Sequence, residues 1–194
     1  MKFAMIAAAT AMMLSSASQA AVTVYTDQSA FAAAMGTLTT EDFNDAVLVP
    51  GLSITTNAGT IGSGVFNDRV FRGGDTTTFS FAGGARGAGG IFDLTPGGFG
   101  QALSFTLNLS GGGTELVPSE IASTVGTFFG FISTNRFDSF LITAGSNAGS
   151  AETYTLDNLQ FGGAVPEPGT WMLMVVGFGL VGAGMRKRST VVAA

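Results

Sequence analysis

Between residues 21 and 164 the sequence predicts an all-β fold, an antiparallel β-sandwich or jelly roll with one short N-terminal helix. Three observations carry that expectation. Leu103, Phe105, Leu107 and Leu109 alternate with Ser104, Thr106 and Asn108, the period-two pattern of a strand with one face in a core and the other in water. Short apolar or alternating runs recur with glycine-rich breaks between them, which favours many short strands over helices. Seventeen phenylalanines, against one tryptophan and two tyrosines, supply the rings to fill the space between two sheets.

The first twenty residues open with Lys2, continue as an apolar run over 3–14 and close on Ser18-Gln19-Ala20. A positive start, a run of about a dozen apolar residues and a small-residue cleavage site make a secretory signal peptide. Its cut is expected after Ala20, leaving a β-sandwich domain over 21–164. A strand is expected over 22–26. Asp27 then caps a helix over Gln28–Met35 that Gly36 ends, with Phe31, Ala34 and Met35 on one face. Further strands are expected over 39–43, 51–55, 77–81, 90–94 and 103–109. Gly111-Gly112-Gly113 permits a turn, and 114–117 is placed to pair back across it. The last strands fall over 125–133, 137–143 and 153–161. In the final one, Tyr154 and Leu156 share a face while Leu159 and Phe161 have the opposite parity, so a β-bulge is expected at Asp157-Asn158. Phe128, Phe129, Phe131, Phe137 and Phe140 are read as core, because sugar-stacking platforms favour Trp and Tyr.

Composition narrows the chemistry. The chain has 194 residues with no cysteine and no histidine, which removes a Ser-His-Asp triad, a thiol nucleophile, the usual zinc sites and any disulfide framework. Carboxylate or hydroxyl chemistry, a calcium site, or no chemistry at all survives. Between residues 21 and 164, Arg69, Arg72, Arg86 and Arg136 face twelve carboxylates, leaving a body of about −8 that repels nucleic acid and anionic lipid. Asp68, Asp75, Asp93 and Asp138 are expected beside turns or strand ends, where Asp bonds its own backbone. Arg69 and Arg72 are expected to form weak surface pairs with Asp68 and Asp75.

Residues 169–185 are uncharged and mostly apolar, and Arg186-Lys187-Arg188 follows at once. At ~1.5 Å per residue the seventeen residues reach about 25 Å, a short transmembrane helix against a hydrocarbon core of ~30 Å. The basic cluster stays on the cytoplasmic side, so an exported body faces outward. Gly177-Phe178-Gly179-Leu180-Val181-Gly182 matches GxGxxG, yet no strand precedes it, and small residues along an apolar helix read as a close-packing face in a membrane. The two prolines of Val165-Pro166-Glu167-Pro168 keep that stretch extended at the membrane face, and Trp171 suits the interface.

This order of a Pro-Glu-Pro box, an aromatic, a glycine-rich short span and a basic cluster, over 165–188, resembles the PEP-CTERM sorting tail of exported bacterial proteins. The resemblance implies that an exosortase, an integral-membrane cysteine transpeptidase, recognises Val165, Pro166, Glu167, Pro168, Trp171, Arg186, Lys187 and Arg188 and removes the tail at or near the box. It also implies a Gram-negative source making exopolysaccharide or biofilm matrix, export across the inner membrane, and a cell-surface or matrix destination. The alternative is a permanent single-span anchor.

Glu41-Asp42-Phe43 and Leu156-Asp157-Asn158-Leu159 resemble the paired first and last strands of carbohydrate-binding-module sandwiches. In several such families an acidic residue from each strand binds a structural calcium. That resemblance makes Glu41 or Asp42, with Asp157, candidate calcium ligands, and Asp45 and Asn158 candidate seconds; backbone carbonyls complete the six to eight oxygens calcium needs. The functional expectation is an exported surface or matrix module, with extracellular polysaccharide as a candidate ligand. A small carboxylate-dependent glycoside-active enzyme is the competing class, and it needs two carboxyl groups about 5–10 Å apart in a cleft.

Overall fold

The computed structural model describes residues 22–96, 102–122, 125–146, 151–163 and 177–179; the predicted signal peptide and nearly all of the predicted tail lie outside them. The elements run β1 (Val22–Tyr25), α1 (Gln28–Met35), β2 (Thr39–Glu41), β3 (Leu52–Thr55), β4 (Thr60–Gly62), β5 (Val65–Phe71), β6 (Thr77–Asp93), β7 (Ala102–Leu109), β8 (Thr114–Leu116), β9 (Ile121–Ala122), β10 (Thr127–Ala144) and β11 (Ala151–Gly162). Among the described residues every strand pairing is antiparallel.

Two strands explain how one hydrogen-bonded network makes two layers. β6 and β10 pair along most of their length, but the register breaks between Ile132 and Phe137. It breaks again between Phe137, opposite Ala85, and Ser139, opposite Ser80, and in the β6 segment spanned by this second break Gly83 and Gly84 adopt φ of 89° and 72°, backbone that a glycine reaches without a Cβ penalty. The strands therefore turn a corner together and pass from one layer to the other. The first layer holds β1, the 127–132 half of β10, the 87–93 half of β6, and β11 with β2, β5 and β4. The second holds β3, the 77–81 half of β6, the 139–144 half of β10, and β7 with β8 and β9. Residues 77–81 with 90–94, and 125–133 with 137–143, were expected as separate strands. Each pair is one bent strand, because the glycine-rich corner continues the ladder instead of ending it.

The core is aromatic, as the phenylalanine content predicts. Rings of the two layers meet across the core: Phe66 with Phe79 edge-on at 5.5 Å, Phe92 with Phe105 edge-on at 5.6 Å, Phe105 stacked on Phe129 at 5.2 Å and Phe81 tilted on Phe161 at 4.7 Å. Phe128 points the other way, toward α1, and lies 5.4 Å from Phe31. The helix covers the outer face of the first layer with Phe31 and Met35, both fully buried. Asp27 accepts from the Ala30 amide at 2.7 Å and Gly36 ends the helix, as the sequence predicts. Ala34 is exposed, contrary to expectation, because the buried stripe is only the i, i+4 pair. The close fit depends on Gly89: a Cβ there would sit 2.7 Å from the Gly130 Cα and 2.9 Å from the Phe128 ring.

Three strands lie outside the expected set: β4, β5 and β9. β5 is the informative one. Phe66, Asp68 and Val70 form its inward row, and an acid in the middle of that row breaks the hydrophobic alternation. Asp68 was expected beside a turn. It is instead in mid-strand, 7% exposed, accepting from the Thr56 hydroxyl at 2.7 Å and from the Thr77 hydroxyl, while the Tyr154 hydroxyl donates to Thr77 Oγ1 at 3.0 Å. Asp68 and Tyr154 are direct cross-strand partners. Arg69 points to the opposite side and stacks on Phe71, 4.6 Å from the ring centroid, so the expected Arg69–Asp68 surface pair does not form.

Candidate binding groove and the predicted acidic positions

The outer face of the second layer carries an open groove of about 430 Å³, lined by Gly51, Leu52, Ser53, Ser80, Phe81, Ala82, Asp138 and Ser139. Strand alternation builds it. Leu52, Phe79, Phe81 and Phe140 face the core, so Ser53, Ser80 and Ser139 lie on the opposite face, where Ser53 is exposed, Ser80 half-buried and Ser139 9% exposed. Register then aligns them: Ser53 pairs with Ser80, Ser80 with Ser139, Ser139 with Asn108 and Asn108 with Thr114. The result is one cross-strand row of hydroxyl and amide groups over five strands. Asn108 Nδ2 donates to Ser139 Oγ at 2.8 Å within it.

Asp138 reaches the groove through a bulge. Phe137 pairs with Leu109 and Ser139 with Asn108, so Asp138 is the extra residue on β10. The bulge turns its carboxylate to the rim, where it accepts from the Ser110 hydroxyl at 2.5 Å. Sequence placed Asp138 beside a strand end; no sequence signal marked it as part of a concave surface, because the row exists only once five strands are in register.

The acidic positions proposed as calcium ligands are committed to their own backbone. Glu41, 3% exposed, accepts from the Phe43 amide at 2.8 Å through one oxygen and from the Val49 amide at 2.7 Å through the other, pinning the 42–51 loop. Asp42 is exposed and accepts from the Asn44 backbone at 3.1 Å and side chain at 2.8 Å, bonds that hold its carboxyl below the usual carboxylate range. Asp45 accepts from the Val47 amide at 2.7 Å, and Asp157 from the Asn158 amide at 2.6 Å. The strands do pair as the resemblance implies, with Leu159 opposite Glu41. The bulge at Asp157-Asn158 also forms where expected: β11 gains one residue against β6 between Asp157 and Gln160, and Asn158 takes φ of 50°. Yet among the described residues no three acidic side chains converge to hold a metal ion. Through these bonds Glu41 and Asp42 fasten the loop after β2, and Asp157 fastens the bulge of β11.

The tail is decided by its own sequence. A family model described as the PEP-CTERM protein-sorting motif matches residues 164–189. The chain carries a PEP-CTERM tail. The match spans Val165, Pro166, Glu167, Pro168, Trp171, Arg186, Lys187 and Arg188, all outside the described residues, and it marks the chain for export and sorting. Residues 177–179 of the PEP-CTERM segment are helical and exposed, and no helix among the described residues is long and apolar enough to cross a membrane.

No curated protein matches the chain. Among solved structures it is similar to a family 29 carbohydrate-binding module, at 13% identity over 66% of this chain and 90% of that one, with a TM-score of 0.49. A variant of such a module complexed with mannohexaose shows 14% identity over 68% of this chain and 98% of that one, again at 0.49. Another, complexed with cellulohexaose, shows 13% identity over 66% and 92%, at 0.49. At these identities none of their ligands transfers to this chain.

Proposed function

We propose that the chain is an exported, exosortase-processed cargo protein whose β-sandwich body serves in the extracellular matrix as a non-catalytic module facing neutral polysaccharide. The observation that carries this reading is the PEP-CTERM match over 164–189. The signal peptide over 1–20, with its cut after Ala20, supplies the route across the inner membrane. The short span over 169–185 holds the body at the membrane while the Pro-Glu-Pro box is presented for processing. A chain without histidine or cysteine, in which the groove brings a single carboxylate, Asp138, supports binding rather than catalysis. Glycoside hydrolysis needs an acid and a second carboxylate facing it across the substrate.

The competing reading is a permanent anchor, favoured by the apolar run itself. Replacing Pro166 and Pro168 together by alanine separates the two. In the native host, wild type is expected outside the membrane fraction and lighter by the tail, with no peptide spanning 171–186 by mass spectrometry. The double variant is expected at full tail length and membrane-bound. Equal retention of both at full length would make the tail an anchor.

A further inference from the structure

We infer that the Ser53–Ser80–Ser139–Asp138 groove, with the hydroxyl and amide row that continues from it through Asn108 to Thr114, is the docking site for a neutral polysaccharide strand. The inference rests on reading the body as a polysaccharide-facing module, and it adds where and how contact is made. The chemistry of the groove selects the ligand class by elimination. Its one charged group is a carboxylate on a body of about −8, which disfavours anions such as phosphate or polyuronate. A peptide strand adds to a sheet edge, whereas β6 and β10, which floor the groove, are paired on both sides.

What remains is a ligand that both donates and accepts many hydrogen bonds without charge. Serine hydroxyls do both, the Asn108 amide does both, and the Asp138 carboxylate accepts from sugar hydroxyls. The next row along the strands keeps the same character, with Thr55 paired to Thr78, Thr78 to Leu141 and Leu141 to Thr106, so an apolar spot lies among three more hydroxyls. The groove is open, not enclosed, and its volume of about 430 Å³ lies in the range of roughly 300–1,000 Å³ typical of small-molecule clefts. An open groove that runs on into a flat polar row suits a polymer better than a single sugar.

The test uses the purified mature protein in affinity gel electrophoresis against a soluble neutral β-glucan, with sodium alginate as the charged counterpart. Wild type is expected to be retarded by the glucan and not by alginate. The variant Ser53→Ala/Ser80→Ala/Asp138→Ala is expected to bind the glucan about tenfold or more weakly at unchanged melting temperature. Ser53→Arg, at an exposed position, is expected to block the groove to the same extent and guards against misfolding of the triple variant. Glucan binding that both variants retain in full overturns the groove while leaving the polysaccharide reading in place. Retardation by neither polymer overturns the polysaccharide reading and the groove with it, and retardation by alginate alone overturns the neutral-ligand assignment.

Discussion

Asp68 and Tyr154 show how one inward acid shapes both stability and pH response. Tyr154 is buried, and its hydroxyl reaches Thr77, which in turn donates to Asp68. Burial, with the Asp68 carboxylate nearby as second cause, pushes the phenol well above its usual value. A phenol raised in the folded state and normal in the unfolded state contributes stability that is complete below pH ~10 and lost as pH rises from there toward the folded value. The effect is easier to isolate because residues 21–164 contain no lysine and no cysteine. Tyr154→Phe is expected to cost about 1 kcal/mol at pH 8 through the lost hydrogen bond, and to flatten the decline above pH 10. Urea unfolding at pH 8 and pH 11 checks both arms. A wild-type decline that persists unchanged in the variant would assign the alkaline limb to another group.

At the scale of the element, the bulge in β11 is the feature most readable in advance, because two pairs of large apolar residues of opposite parity leave the strand no other way to bury both. Tyr154, Leu156 and Leus at 103, 107 and 159 all lie where period-two reasoning puts them. β5 was not legible because its inward middle position is an acid satisfied by the hydroxyls of Thr56, just past β3, and Thr77 on β6, and only the folded chain supplies those partners. The corner of β6 was not legible either, since the same glycines that read as a break allow a bend. The groove was least legible of all, as Ser53, Ser80 and Ser139 are unremarkable apart and meaningful only in register. The bulge allows a direct measurement. Asn158 has φ of 50°, where glycine is unstrained and a β-branched residue is not. Asn158→Gly is expected to leave the urea midpoint unchanged or raised, while Asn158→Val is expected to lose about 1–2 kcal/mol at unchanged m-value. Equal stability of the two would mean that the register shift is held by something other than the backbone conformation of residue 158.

For the whole molecule, cargo and label follow different physics. The cargo is held by contacts between distant strands, and its described core closes with Leu159 and Phe161 on β11, a central strand between β5 and β6. The label is defined as sequence: prolines, an aromatic, an apolar run and cations follow one another over the residues that match the sorting motif. A chain ended after Gly163 should therefore keep the melting temperature of the full body to within about 2 °C, the shift of less than 1 kcal/mol in a domain of this size. A chain ended after Asn158 loses Leu159, the partner of Glu41, and Phe161, which packs on Phe81, and should not fold cooperatively. The same pair of melts in millimolar calcium and in chelator is expected to agree, because the carboxylates of Glu41, Asp42 and Asp157 are already bonded to backbone amides. A calcium-dependent rise would restore the metal to the paired ends of the sandwich. A fall in melting temperature on removing 164–194 alone would mean that the tail is part of the cargo's structure, and a tail that is structurally integral cannot be a detachable address.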